Sequence, residues 1–265
     1  MPVMPPNTGE LMGLSVFLHS VRMVFNNLAI ALRISAPLIA VVALSAAGAF
    51  VVANAGSIQI DGRQFFVLFL LWLAIALICL VWVAVAWHRF VLMDEVPDGL
   101  LPELRGGRIF AYSYNALVIA VLLFLASLPL DFLVNRAIEA SAGALMIIIA
   151  AQIASAIVVA AISYRVSLML PGAAIGNLLS IRQSWQATKG KGFQLLVLAV
   201  VSVASAFVVD LPVLLVQQTQ VGLMLGFLWG AITAWFKVMI GFSILTTLYG
   251  HLIQGRPLSG SVHPA

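Results

Sequence analysis

Six long apolar runs constrain this chain more than any other feature of its sequence. A helix crosses the hydrocarbon of a bilayer with about 20 apolar residues, and each run reaches that length. The runs do not alternate polar and apolar residues, as the strands of a membrane barrel would. The sequence therefore predicts an all-α, polytopic membrane protein with six transmembrane helices. The expected spans are residues 28–52, 65–87, 113–133, 143–164, 193–215 and 221–243.

Composition excludes several classes of protein. The chain has 265 residues, of which 63% are hydrophobic and 8% are charged, whereas soluble domains are about 45–50% apolar and about 25% charged. A soluble enzyme, a nucleic-acid-binding domain and a disordered regulator are therefore not expected. Six spans with short loops leave no room for a soluble domain, so we expect residues 1–265 to form a single membrane domain. The lone cysteine, Cys79, excludes an intramolecular disulfide.

The distribution of basic residues predicts the orientation. Lys237 lies inside the sixth run, and only Arg63 and Arg136 lie on the side opposite the N-terminus. All other basic residues lie on the N-terminal side. Because cytoplasmic loops are rich in Lys and Arg, both termini are expected in the cytoplasm. Five aromatic residues fall at the same interface, where amphipathic rings prefer to lie. They are Trp87, Tyr112, Tyr114, Tyr164 and Trp185.

Two segments are expected to lie at the membrane surface. Residues 10–27 space their apolar side chains three and four apart, with polar side chains between them, which is typical of an amphipathic interfacial helix. Residues 171–192 begin with Pro171-Gly172 and end with Lys189-Gly190-Lys191-Gly192. We interpret this second segment as a break, a surface helix and a glycine stop before the fifth span.

The sequence contains a weak internal repeat. Arg89–Met93 resembles Arg165–Met169, and a proline and a basic glycine turn follow each block. Asp131 and Asp210 end the two following spans at a similar offset. The pattern favours two parallel hairpins, a form of repeat common in transport proteins. Apolar helices also resemble one another by composition alone, so both explanations stay open.

Charged residues inside a bilayer are costly and are candidates for function. Arg33, one turn inside the first span, can extend to the headgroups. Asp131 and Asp210 lie beside prolines, where they are either solvated or line a cation or proton path. Lys237 either reaches the headgroups or binds a lipid phosphate or a carboxylate inside the bundle. A small transporter would place Asp131, Asp210 and Lys237 on its path.

Catalytic motifs are absent from the sequence, so we expect no enzyme and no cofactor. His88 with Asp94-Glu95 lacks a further ligand at metal-binding spacing, so no metal is expected, and local salt bridges at an interfacial anchor are favoured. Basic residues near a membrane attract anionic headgroups by about 1 kcal/mol each. The candidate contacts to lipid or another anion are Arg89, Arg165, Lys189, Lys191 and Lys237.

Several blocks resemble a bacterial family. They are Ser15–Pro37, Trp87–Leu92, Tyr164–Pro171, Ser184–Gly190 and the tail Leu248–His251 with Gly255–Leu258. They are similar to YciC-like integral membrane proteins and to the membrane domain attached to some glycerophosphodiester phosphodiesterases. The resemblance implies a six-span fold in the bacterial inner membrane. It implies no phosphodiesterase activity, because the catalytic domain of that family is a separate soluble barrel.

Two hypotheses follow from the sequence. The first is a non-enzymatic inner-membrane protein that binds membrane lipids or a membrane-protein partner, for example as an accessory subunit, and does not bind nucleic acid. The second is the small transporter described above.

Overall fold

A computed structural model of the chain describes residues 12–54, 61–99, 101–140, 144–216 and 220–258. These residues form helices and loops without strands, which confirms the all-α prediction. The helices are α1 (Met12–Asn26), α2 (Leu28–Asn54), α3 (Gly62–Met93), α4 (Gly106–Ala140), α5 (Leu145–Val166), α6 (Met169–Ile175), α7 (Ile181–Ala187), α8 (Gly192–Val216) and α9 (Gln220–Leu252).

Six helical stretches are long and apolar enough to cross a membrane, and they define a multi-pass membrane protein. They are Leu28–Ser45, Gly62–Met93, Gly106–Ala140, Leu145–Ile175, Gly192–Val213 and Met224–Leu252. Most of their surface is apolar and lies outside the protein interior, as a helix in contact with lipid requires. The helices extend beyond several of the apolar runs; α3, for example, continues to Met93.

Local sequence determines where several helices begin and end. The Asp61 carboxylate accepts a hydrogen bond from the backbone of Gln64 (2.7 Å) and caps α3. Ser180 and Gln183 form the corresponding pair of bonds at the start of α7. Gly176 ends α6 with a φ of 89°, a left-handed conformation that glycine adopts without steric cost.

Helix α1 has one face that packs against the protein and one face that is exposed. The residues that pack against the protein include Val16, Ser20 and Met23, and Ser20 donates to the hydroxyl of Thr247 on α9 (3.2 Å). Large apolar residues of the predicted stripe, such as Leu18 and Phe25, are exposed instead. Helix α1 therefore packs on the bundle through a mainly apolar face that also carries Gly13 and Ser20, and part of the predicted stripe faces outward.

Helix α6 corrects the prediction of a surface helix after Pro171. Pro171 lies inside α6, and residues 169–174 are all buried. Met169 and Ala173 pack with Ala84 of α3 and Ile119 of α4. Helix α6 is therefore an interior helix between α3 and α4, and only α7 of the predicted surface segment is largely exposed. The periodicity of the sequence could not distinguish the interior helix α6 from the surface helix α7, because a buried helix is apolar on every face.

The interior near the end of α3 contains a hydrogen-bonded polar cluster formed around Trp87, His88 and Tyr112. All three side chains are buried. Trp87 donates to the Ser243 hydroxyl (3.0 Å). Two hydroxyls contact the His88 ring: Thr246 lies 2.7 Å from Nδ1 and Tyr112 lies 3.3 Å from Nε2.

The same hydrogen bonds determine the proton on His88. Thr246 gives its single hydroxyl proton to the carbonyl of Phe242 (2.7 Å). Nδ1 of His88 must therefore be the donor to Thr246. Both ring nitrogens of His88 thus have a hydrogen-bond partner, as a buried polar group in a membrane bundle requires.

Candidate functional site: a cationic junction of three helices

The end of α5, helix α7 and the start of α8 meet at one junction. The Ser184 hydroxyl of α7 donates to the backbone carbonyl of Arg165 on α5 (2.6 Å). Ser184 is fully buried, so this bond holds α7 firmly against α5. We call Arg165, Trp185, Lys189, Lys191 and the first turn of α8 the Arg165 site.

The guanidinium of Arg165 is the centre of this site. Its carbon lies 4.8 Å from the centre of the Trp185 ring, a cation–π contact. A Cβ atom added to Gly192 would lie 2.7 Å from Nη2 of Arg165, so the guanidinium covers the first residue of α8. Arg165 is half-buried and forms no salt bridge with any carboxylate of the described residues. This positive charge is therefore held in place without a counterion.

The turn from residue 188 to residue 191 adds two more cations. Thr188 is buried and accepts the backbone N–H of Lys191 (3.1 Å) on its carbonyl oxygen. Lys189 is exposed and Lys191 is half-buried. Helix α8 starts directly after this turn, and the free N–H groups of a helix start carry partial positive charge. The structure thus places Lys189 and Lys191 of the predicted set in the turn that leads to Gly192, the residue that Arg165 covers.

A further arginine, Arg108 of α4, contacts the end of α6. The guanidinium of Arg108 lies over Gly176, where an added Cβ would be 2.5 Å from Nη1. The left-handed backbone of Gly176 favours glycine there, whereas the flexible guanidinium of Arg108 could move away from a side chain. No sequence pattern indicates this contact, because Arg108 and Gly176 are far apart in the chain.

Arg89, the repeat counterpart of Arg165, has a different environment. Arg89 is buried and donates to the Glu95 carboxylate through Nε (2.9 Å) and Nη2 (2.5 Å). Its Nη1 donates to the carbonyl of Ala174 on α6 (3.2 Å). Arg105 binds the second oxygen of Glu95 at 2.9 Å. Arg89 is therefore neutralised and joins α3, α6 and the 94–105 loop, in agreement with the local salt bridges that the sequence favoured.

The two arginines determine the protonation of Glu95. Burial alone would raise the pKa of this carboxyl group. The hydrogen bonds and positive charges of Arg89 and Arg105 outweigh burial and hold the pKa below its ordinary value. Glu95 consequently stays ionised at neutral pH.

The intramembrane charges divide into a pair and a separate residue. Lys237 of α9 donates to both oxygens of Asp210 on α8, at 2.8 and 2.9 Å. Lys237 thus has a carboxylate partner, but the pair is exposed on the outside of the bundle and does not lie inside it as that interpretation expected. Asp131 lies exposed on α4 and forms no ion pair within the described residues. Arg33 donates to the carbonyl of Gly99 (2.5 Å).

Two cavities lie near the ends of α3 and α9. The first has a volume of about 280 Å³, and its polar lining includes His19 of α1, His251 at the end of α9 and Arg256 after α9. The second, of about 490 Å³, lies between Arg89 and the 94–105 loop. Within the described residues, no cluster of three His, Cys, Asp or Glu side chains could hold a metal ion.

Neither a family model, nor a curated protein, nor a solved structure matches this chain. The fold and the charge arrangement therefore define the protein as a multi-pass, all-α membrane protein with a cationic junction at one end of its bundle.

Proposed function

We propose that this protein is a non-enzymatic membrane protein that binds the phosphate of anionic phospholipid headgroups at the Arg165 site. One observation supports this most directly. The guanidinium of Arg165 is stacked on Trp185 and lies over the start of α8, without a carboxylate partner among the described residues. Arg89 and Lys237, which the sequence also offered as anion contacts, are each bound to a carboxylate of the chain.

Physical chemistry favours a lipid phosphate as the anion that the Arg165 site binds. Guanidinium donors match the geometry of phosphate oxygens, and helix starts favour negative charge. Each basic residue close to an anionic leaflet contributes about 1 kcal/mol of attraction. Trp185 is 45% exposed, and tryptophan side chains prefer the level of the headgroups. The preferences of the basic residues and of Trp185 therefore both favour a site at the membrane interface.

The resemblance to YciC-like proteins and the bias of basic residues extend this proposal. We propose the bacterial inner membrane as the location, with both termini and the Arg165 site on the cytoplasmic side. A membrane-protein partner that carries acidic groups would compete for the same cations. Such a partner would make the protein an accessory subunit.

Transport is the less supported function. A path through Asp131, Asp210 and Lys237 requires all three charges to line it. The structure pairs Asp210 with Lys237 and leaves Asp131 exposed on α4. Both cavities described above lie elsewhere, near the ends of α3 and α9.

The proposal is tested by the effect of lipids on thermal unfolding. Phosphatidylglycerol should stabilise the detergent-solubilised protein more than phosphatidylcholine does. The Arg165→Gln variant should lose this difference, whereas Arg136→Gln should keep it. Arg136 is a suitable control because it is exposed and pairs with Glu139 on the same helix. An equal difference between the two lipids in all three proteins would contradict the proposal.

A further inference from the structure

The Asp210–Lys237 pair lies on the outside of the bundle. The side chain of Asp210 is 46% exposed and that of Lys237 is 39% exposed. Both residues belong to stretches that are apolar enough to cross a membrane. Ionic groups in contact with hydrocarbon are costly, even when they are paired. This exposed pair therefore requires a further polar neighbour, which the described residues do not supply.

Small residues surround the pair on the same face of α9. Gly230, Ala234, Lys237 and Gly241 follow one another at intervals of four, three and four residues, so they share one side of the helix. A Cβ added to Gly230 or Gly241 would meet nothing within 4 Å. Glycine is therefore not required at either position by packing within this chain. Small residues at this spacing allow another membrane helix to approach closely.

The groove between α8 and α9 has two parts. Helix α1 fills the lower part, which lies between the start of α8 and the end of α9. Gly13 of α1 packs directly on the backbone of Gln194 and Leu198. Leu248 of α9 is 1% exposed in the same cluster. Helix α1 does not cover the upper part, where Ala234 is exposed. The open face is thus the continuation of a groove that accepts a helix.

We propose that the α8–α9 face, centred on Asp210 and Lys237, binds a second copy of this chain in a symmetric dimer. Two copies with the same orientation in a membrane are related by a two-fold axis along the membrane normal. This rotation turns the vector from the Asp210 carboxylate to the Lys237 ammonium by half a turn within the plane of the membrane. Lys237 of each copy then faces Asp210 of the other. The pair is self-complementary, which favours an identical partner over an unrelated protein.

Close approach at the glycines gives the first test. Two differently tagged full-length copies are co-expressed, extracted in mild detergent and recovered through one tag. Wild-type copies should co-purify, and Gly230→Leu should weaken association by roughly tenfold, the scale of disrupted helix packing in a membrane. Gly48→Leu is the matched control, because Gly48 is likewise a helical glycine whose added Cβ would meet nothing within 4 Å, and it lies on another helix. The absence of wild-type co-purification, or equal recovery of both variants, would overturn the proposal.

Charge reversal gives the second test. A chain with Asp210→Lys carries two positive charges at the face, and a chain with Lys237→Asp carries two negative ones. Each variant should associate poorly with itself, while the two variants should recover each other. The double variant D210K/K237D restores the pair within one chain and should dimerise like the wild type, which controls for folding. Mixed recovery no greater than self-recovery would contradict a dimer through this pair.

Discussion

Arg165 lies over the ring of Trp185, with 4.8 Å between the guanidinium carbon and the ring centre. Trp185 therefore positions the cation without neutralising it. Arg89, at the equivalent position of the sequence repeat, is neutralised by Glu95 at 2.5 Å. Two similar blocks of sequence thus place one arginine beside a carboxylate of the chain and the other over an aromatic ring, without a carboxylate partner among the described residues.

Glu95→Gln should destabilise the protein by about 1–3 kcal/mol, because it leaves the buried Arg89 without its counterion. The midpoint of thermal unfolding in detergent measures this effect. Glu139→Gln removes the exposed salt bridge to Arg136 and should cost less than about 1 kcal/mol. Equal losses in both variants would show that Arg89 does not depend on Glu95.

The stability contributed by Glu95 should depend on pH. Its carboxyl group has a lower pKa in the folded protein than its ordinary value of 4.5. The contribution is therefore complete above pH 4.5 and is lost as the pH falls through the folded-state pKa. The difference in unfolding temperature between the wild type and Glu95→Gln should be constant near neutral pH and should shrink in acid. A difference that grows in acid would contradict this assignment.

Gly13→Ala should separate α1 from α8. An added Cβ would overlap the carbonyl oxygen of Gln194 and would lie 2.8 Å from the backbone nitrogen of Leu198. Overpacking of this kind costs about 1–3 kcal/mol, and hydrogen exchange in α1 should accelerate. Gly106→Ala is the control, since nothing lies within 4 Å of its added Cβ. Unchanged exchange in Gly13→Ala would exclude the close contact.

Thr246→Val should destabilise the fold by about 1–3 kcal/mol, because Nδ1 of the buried His88 loses its acceptor. Thermal unfolding measures the loss. The control is Ser127→Ala, whose hydroxyl bonds only to Phe124 of its own helix (2.9 Å). If both variants unfold at the wild-type temperature, the hydrogen bond to His88 contributes nothing to stability.

The sequence predicted the long helices because length and apolar composition suffice for them. The sequence could not predict the hydrogen bonds of Trp87, His88 and Tyr112, because each of these side chains binds a partner on another helix. Trp87 and Ser243, for instance, are joined only by the packing of α3 on α9. The Arg165 site was partly predictable, since its cations and Trp185 lie in one short stretch. That Arg89 has a carboxylate partner, while Arg165 has none among the described residues, depends on the tertiary position of Glu95.

Native mass spectrometry after gentle extraction tests the central claim most directly. The wild type should retain anionic phospholipid, whereas Arg165→Gln should lose most of it and Arg136→Gln should retain it as the wild type does. Equal retention by the wild type and Arg165→Gln, or retention of zwitterionic lipid alone, would contradict anionic headgroup binding at the Arg165 site.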